Sequence, residues 1–192
     1  KPLEAHFHND FGCGAANTVL ALAEGVEAAH TTISGIGERT GNAPFEDVVL
    51  MLLTMYGIDL GVKYEKIYET SKLVQEIAGI KLPPNREVVG DYVYKVESGV
   101  VVDWINNCLK DKPLEIFPYH WELVGQAPPE VMLGKCSGQS SVIRWLDRLG
   151  IEVRDSSTIE KILNAVKEKA YEVKRLLTEE EFKEIVKSAA SR

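Results

Sequence analysis

Two histidines near the start of the chain have the side chains and the spacing of a metal site. His6 and His8 are separated by one residue, Phe7, at the end of a segment in which apolar and polar residues alternate. Alternate side chains of a β-strand point to the same face, so both imidazoles can reach one divalent ion. Asn9 and Asp10 follow at once; their side chains could fix the histidine tautomers, and these residue types also favour a turn, which does not exclude the first role. A histidine pair alone also fits ordinary surface or core residues, so the metal hypothesis depends on the neighbouring elements.

A glycine-rich polar loop, residues 35–42, is the second feature that could do chemistry. Its glycines permit unusual dihedral angles and a close approach to a ligand. Glu38 and Arg39 are predicted to form a buried ion pair that shapes the loop. Asn42 either caps the following helix or gives its amide oxygen to the metal. Two imidazoles and an amide oxygen leave positions for carboxylate and water, which suits Mn²⁺, Mg²⁺ or Zn²⁺ acting as a Lewis acid on a small oxygen-rich substrate.

The elements that must bring these residues together follow the order strand, helix, strand, helix. Such an alternation is typical of a parallel sheet, whose ligands bind at the edge where the strands end. The histidine of the second strand, His30, is predicted to be structural. The predicted strands cover residues 2–8 and 26–35, with extended pieces over 88–102; the predicted helices cover 15–23, 42–56, 64–78, 103–109, 140–149, 157–176 and 179–190. Capping boxes are predicted at Ser157 with Glu160 and at Thr178 with Glu181.

Composition and charge argue against several classes of function. The 192 residues carry a net charge of −7, whereas a nucleic-acid-binding protein needs a basic patch. No apolar run approaches the length of a membrane span. Cys13, Cys108 and Cys136 are widely spaced and odd in number, which fits reduced thiols. We therefore expect a cytoplasmic protein without a nucleic-acid or membrane partner.

Several motifs together resemble one enzyme family. Residues 6–54 contain HxHND, an Ala-Asn pair at Ala16 and Asn17, and GIGERxGN. This combination is similar to the second signature of the 2-isopropylmalate synthase and homocitrate synthase family. The resemblance continues through LPPN at 82–85, ESG at 97–99 and LGKCSG at 133–138.

The resemblance implies a fold class and a division of the chain. The expected fold is α/β, with residues 1–80 forming the last two βα units of a TIM (βα)8 barrel. Residues 81–130 would be a linker and a first subdomain, and residues 131–192 a helical second subdomain. The barrel is expected to be incomplete in this chain, with the missing strands supplied by the same gene or by a partner chain. His6, His8 and Asn42 would fall on the metal-site positions of the seventh and eighth strands.

The resemblance also implies an activity. The family joins acetyl-CoA to a 2-oxo acid in a metal-dependent, Claisen-type condensation, which makes the protein an acyltransferase and an expected homodimer. This chain alone is expected to be inactive, because the family's acidic metal ligand and catalytic arginine lie on an earlier strand.

Three departures from the family pattern affect the expected chemistry. Val96 and Val101 stand where the family has histidines around its ESG motif, and Cys136 replaces another histidine. A valine cannot donate or accept a proton, so His120 and Tyr94 are the candidates for proton transfer. His120 is also consistent with an ordinary surface histidine. A citrate-forming synthase, a carbon–carbon lyase of the same superfamily and a non-catalytic subunit that kept the metal loop remain alternatives. By the same resemblance, such lyases carry a catalytic cysteine in the glycine loop, which this loop lacks.

Overall fold

Two short parallel strands and a helix begin the fold. The computed structural model describes residues 1–190, and Ser191 and Arg192 lie outside it. β1 (Glu4–His6) pairs in parallel with β2 (Ala28–His30), and α1 (Gly14–Ala23) connects them. The predicted parallel pairing is confirmed, but both strands are shorter than the predicted 2–8 and 26–35. Beyond them, pairing continues only as isolated bridges, because the loop between β2 and the next helix folds back against both strand ends.

Two further helices complete the first part of the chain. α2 (Phe45–Tyr56) packs on α1 through a core of Val19, Ala43, Val48 and Leu52. Pro44 is the residue that precedes α2, so the predicted helix start at Asn42 is wrong and Asn42 is not the cap. A 3-10 turn at Tyr64–Lys66 leads into α3 (Ile67–Ala78), close to the predicted helix.

The later part of the chain is mostly helical. β3 (Lys95–Val96) pairs in parallel with β4 (Glu130–Val131), and four helices accompany them: α4 (Gly99–Cys108), α5 (Gln139–Arg148), α6 (Ser156–Val173) and α7 (Glu179–Ala190). The start of α4 lies four residues before the predicted one, within the stretch predicted to be extended. The other three helices lie close to their predicted ranges.

The predicted helix caps have different outcomes. The carboxylate of Asp155 accepts the backbone N–H of Thr158 at 2.8 Å, so the predicted box at Ser157 and Glu160 is wrong. The box before α7 is confirmed: the Glu181 carboxylate accepts the Thr178 N–H at 2.8 Å, and the Thr178 hydroxyl accepts the Glu181 N–H at 3.3 Å.

The ESG motif at 97–99 and the LGKCSG motif at 133–138 contact each other. The backbone N–H of Cys136 donates to the Glu97 carboxylate at 2.6 Å. Gly99 and Gly138 approach so closely that a Cβ on either would lie 2.9 Å from the Cα of the other. The indole N–H of Trp145 donates to the Val131 carbonyl at 2.7 Å, which ties α5 to β4. The close approach of the two backbones explains why glycine occupies both position 99 and position 138.

The chain divides into two compact units. One contains Lys1–Val93 and Trp121–Ala127, and the other contains Tyr94–His120 and the chain from Pro128 onward. Within residues 1–190 there are seven α-helices and two two-stranded parallel sheets, and neither sheet closes into a barrel. The fold is therefore α/β, while the barrel context and the division at residues 80 and 130 stay predictions. None of the helices in the described residues combines the length and the apolar character needed to cross a membrane.

Candidate metal site

The segment Gly41–Pro44 lies between the ends of the two N-terminal strands. The N–H of Ala43 donates to the Phe7 carbonyl at 3.1 Å, and the N–H of Thr32 donates to the Ala43 carbonyl at 3.1 Å. His8 and Asn42 consequently face each other in an antiparallel bridge. The glycine loop thus returns its last polar residue to the end of β1.

The two histidines of the first motif are neighbours with different surroundings. The Nδ1 atom of His8 lies 3.1 Å from the Gly41 carbonyl, which can only accept, so this contact fits the Nδ1–H tautomer and leaves Nε2 with a free lone pair. The ring centroids of His6 and His8 are 5.3 Å apart, a separation that two imidazoles bound to one ion can have. His6 is exposed and His8 is half-buried.

The amide of Asn42 has one satisfied end and one unsatisfied end. Its Nδ2 donates weakly to the Ile36 carbonyl at 3.4 Å, while its Oδ1 is buried with no hydrogen-bond partner among the described residues. A buried acceptor without a partner costs free energy, and a cation at Oδ1 would remove that cost. An alanine Cβ at Gly37 would lie 2.5 Å from the same Nδ2, so this glycine allows the close packing that orients the amide. The residues present therefore fit a metal ion.

The available donors are few. Within residues 1–190, no group of three or more His, Cys, Asp or Glu side chains is arranged to hold a metal ion. The donors are accordingly two imidazoles and an amide oxygen, and the remaining positions of a coordination shell would be filled by other oxygen atoms. This mixed nitrogen and oxygen set is compatible with the predicted Mn²⁺, Mg²⁺ or Zn²⁺.

The residues predicted to support the site make other contacts. The Asn9 Oδ1 atom accepts the N–H of Gly14 at 2.9 Å and so fixes the turn into α1. Arg39 pairs with Asp10 at 3.0 Å, and both side chains are about half exposed. The predicted buried pair of Glu38 with Arg39 is therefore wrong, and Glu38 is exposed. The Gly41 carbonyl, rather than Asn9 or Asp10, contacts the second ring nitrogen of His8.

A further imidazole lies beside His6. The strand register places His30 directly opposite His6, and their ring centroids are 5.6 Å apart. The His30 Nε2 atom lies 2.9 Å from the Glu4 carboxylate. The parallel register alone could have indicated the proximity of His6 and His30, but the partner Glu4 required the structure.

Sequence reasoning missed a buried acid that contacts Ser34, the residue just before the glycine loop. Glu46 is 1% exposed, and its Oε2 accepts the backbone N–H of Ser34 at 2.9 Å. Burial raises the pKa of the Glu46 carboxyl, although its hydrogen bonds and the charge of Arg86 oppose the change. The available signal was an acidic residue on the helix face that also carries Val49 and Leu50.

The two predicted catalytic residues belong to the second unit. Tyr94 is 3% exposed, its hydroxyl donates to the Tyr119 carbonyl at 3.2 Å, and its ring packs against Phe117. Burial raises the pKa of the Tyr94 hydroxyl, so this group stays protonated at neutral pH and is a poor base. His120 is half-buried. The catalytic roles of Tyr94 and His120 stay predictions.

Comparison with known proteins shows what the N-terminal region is similar to. Residues 1–74, which contain His6, His8 and Asn42, match the HMGL-like family model. Residues 1–74 are therefore similar to the HMGL-like family. Proteins similar to the chain include a putative (R)-citramalate synthase CimA of Methanosarcina mazei, 43% identical over 167 residues that make up 87% of the chain and 33% of the relative.

Two other relatives extend the similarity. Homocitrate synthase AksA of Methanocaldococcus jannaschii is 39% identical over 181 residues, which are 94% of the chain and 43% of the relative. A probable 2-isopropylmalate synthase of Ignicoccus hospitalis is 38% identical over 190 residues, which are 96% of the chain and 44% of the relative. The chain thus spans between a third and a half of the length of these relatives. The resemblance to the 2-isopropylmalate and homocitrate synthases is confirmed.

Proposed function

We propose that this chain forms the metal-binding part of a synthase that condenses acetyl-CoA with a 2-oxo acid. The observation that supports this most is the buried, unpartnered Asn42 Oδ1, on a residue whose backbone is bridged to that of His8. The similarity to proteins named citramalate, homocitrate and isopropylmalate synthase supports the same reaction class. In this proposal β1 and β2 are the last two strands of a (βα)8 barrel, and the enzyme is a cytoplasmic homodimer.

The residues of the site would act mainly by binding and orientation. A divalent ion held by His6, His8 and Asn42 would polarise the carbonyl of the 2-oxo acid towards attack by the acetyl-CoA methyl carbon. His8 is kept in one orientation by the Gly41 carbonyl. Asn42 is kept in place by its backbone pairing and by the packing of Gly37. Such fixed ligands lower the cost of aligning the two substrates.

The proton that leaves the acetyl-CoA methyl group needs an acceptor. Val96 is buried in β3 and Val101 is half-buried on α4, and neither aliphatic side chain can accept a proton. The Tyr94 hydroxyl is protonated and already donates to a carbonyl, so it could only give a proton. We therefore retain His120 as the candidate base, since a ring nitrogen of a neutral imidazole can accept a proton.

A thiol-release assay on the full-length protein tests this function. We expect release of free CoA from acetyl-CoA to require a divalent metal and one of four 2-oxo acids: pyruvate, 2-oxoglutarate, 2-oxoisovalerate or oxaloacetate. Substitution of His8 or Asn42 by alanine should weaken Mn²⁺ binding by about 10–100-fold, as measured by the signal of free Mn²⁺ in electron paramagnetic resonance. Asn107→Ala, on an exposed part of α4, is the matched control and should bind like the wild type.

Three results would contradict the proposal. Formation of acetyl-CoA or pyruvate from a hydroxy acid, without thiol release, would indicate a lyase. Metal binding without turnover in either direction would indicate a non-catalytic subunit. Condensation that survives metal removal would show that the site does not serve the reaction.

A further inference from the structure

We propose that Glu46 is a positioning residue that holds the glycine loop so that Asn42 presents its amide oxygen to the metal. The proposal rests on the metal site described above. It assigns a role to a buried carboxyl that the proposed reaction does not otherwise use.

The first step of the argument is the contact between Glu46 and the start of the loop. Ser34 has a φ of 61°, in the left-handed region that a residue with a side chain rarely adopts. Its backbone N–H donates to the Glu46 Oε2 at 2.9 Å, and its hydroxyl lies 2.6 Å from that of Ser71 on α3. All three side chains are buried, so these contacts are protected from water and hold a conformation that is otherwise costly.

The second step connects this point to Asn42. Gly35, the residue after Ser34, accepts the backbone N–H of Asn42 at 3.1 Å. Ile36, the next residue, accepts the Asn42 side-chain Nδ2 at 3.4 Å. The conformation at Ser34 therefore determines where the two carbonyls that hold Asn42 lie. Glu46 in turn belongs to the first turn of α2, four residues after Asn42, so its hydrogen bond ties the start of the loop to its end.

The third step concerns what the carboxyl supplies. Its Oε2 accepts the Ser34 N–H, while its Oε1 has no hydrogen-bond partner among the described residues. The contact to Ser34 thus uses only one oxygen atom of the carboxyl group, as a hydrogen-bond acceptor. Burial raises the pKa of this carboxyl, which agrees with a group used as an acceptor and not as half of an ion pair. A glutamine should replace it well, whereas a methionine of similar size should not.

The experiment is a double-mutant cycle on Mn²⁺ affinity in the full-length protein. We expect Glu46→Gln to bind Mn²⁺ within about twofold of the wild type, and Glu46→Met to bind about tenfold more weakly. In the Asn42→Ala background, Glu46→Met should cause no further loss, because its effect passes through Asn42. Asp47→Asn, which alters the neighbouring, partly buried acid but not the Ser34 contact, is the matched control and should bind Mn²⁺ like the wild type.

Ser71→Ala is a milder second variant in case Glu46→Met does not fold. It removes the other side-chain contact of Ser34 and should weaken Mn²⁺ binding several-fold, again only while Asn42 is present. The positioning role would be overturned if Glu46→Met weakened Mn²⁺ binding equally with and without Asn42. It would also be overturned if neither Glu46→Met nor Ser71→Ala weakened Mn²⁺ binding. If Asn42→Ala itself leaves Mn²⁺ binding unchanged, the proposed metal site fails, and that outcome is distinct from failure of the Glu46 role.

Discussion

The contact between Gly37 and the Asn42 amide gives a sharp test of the site. In the Gly37→Ala variant the new Cβ would lie 2.5 Å from Asn42 Nδ2 and 2.9 Å from its Cγ. The φ of Gly37 lies outside the left-handed region, so alanine is allowed there by the backbone. The contact with Asn42 is therefore the main consequence of the substitution.

The size of the effect follows from the displacement. Ordinary van der Waals contacts of a Cβ begin at 3.4 Å, so the amide must move by about 1 Å. A misplacement of about 1 Å in a catalytic arrangement can lower the rate about 100-fold. A disturbed metal ligand typically loses about 10–100-fold in metal affinity. We expect Gly37→Ala to lower kcat/KM by about 100-fold and Mn²⁺ affinity by at least about tenfold.

Two measurements on the full-length protein check this expectation. Mn²⁺ affinity is read from the paramagnetic resonance signal of the free ion, and kcat/KM from CoA thiol release. Thr40→Ala changes an exposed residue of the same loop and should leave both values unchanged. If Gly37→Ala kept wild-type Mn²⁺ affinity, the orientation of the Asn42 amide would not matter for metal binding, and the reasoning would be refuted.

Two further predictions concern stability. Burial raises the pKa of Asp47 to about 7, with smaller contributions from the charges of Glu46 and Glu87, although Arg86 opposes the change. The folded state therefore binds this proton more tightly than the unfolded chain, and the free energy of unfolding falls as pH rises from about 4 to about 7. The thermal midpoint of Asp47→Asn should therefore vary less over that range than that of the wild type, and parallel curves would contradict this. Phe182 is fully buried against Trp145, with ring centroids 5.4 Å apart, so Phe182→Ala should lower the free energy of unfolding by about 3–5 kcal/mol in urea denaturation followed by tryptophan fluorescence. An unchanged midpoint would show that α7 does not cover this core.

Local sequence patterns were sufficient for most helices and for the parallel strands. α2, α5, α6 and α7 lie within a few residues of their predicted ranges because each carries an apolar stripe with helical spacing. The strand, helix, strand order correctly indicated a parallel pair, since a helical connection returns the chain in the same direction.

The start of α4 could not be predicted because tertiary contacts override local preference there. Gly99 is followed by three valines, and such a run of β-branched residues favours a strand. In the structure Gly99 packs directly on Gly138, and the helix that begins there buries Val102 and Ile105. Its partner, Gly138, lies 39 residues further along the chain, and nothing in the sequence around Gly99 indicates this contact.

The limits of prediction at the site have a related cause. The proximity of His8 and Asn42 follows from where strand and loop end, and the sequence indicated it. The roles of the Gly41 carbonyl and of Glu46 depend on backbone atoms, whose positions follow from the path of the loop and not from residue type. Asn42 was open to interpretation as a helix cap because the same residue type serves both purposes. Its pairing with His8 explains why the helix begins only after Pro44.

The charges around the donor set agree with a substrate that is itself an anion. Two imidazoles and an amide are neutral ligands, so an ion bound by them would keep its full positive charge. Two carboxylates of the same region already have partners, since Asp10 contacts Arg39 at 3.0 Å and Glu4 contacts His30 at 2.9 Å. A 2-oxo acid carries a carboxylate beside a carbonyl, and its oxygen atoms suit the hard cations expected here. In the proposed enzyme the substrate would therefore contribute oxygen ligands and negative charge to an ion whose three donors in this chain are all neutral.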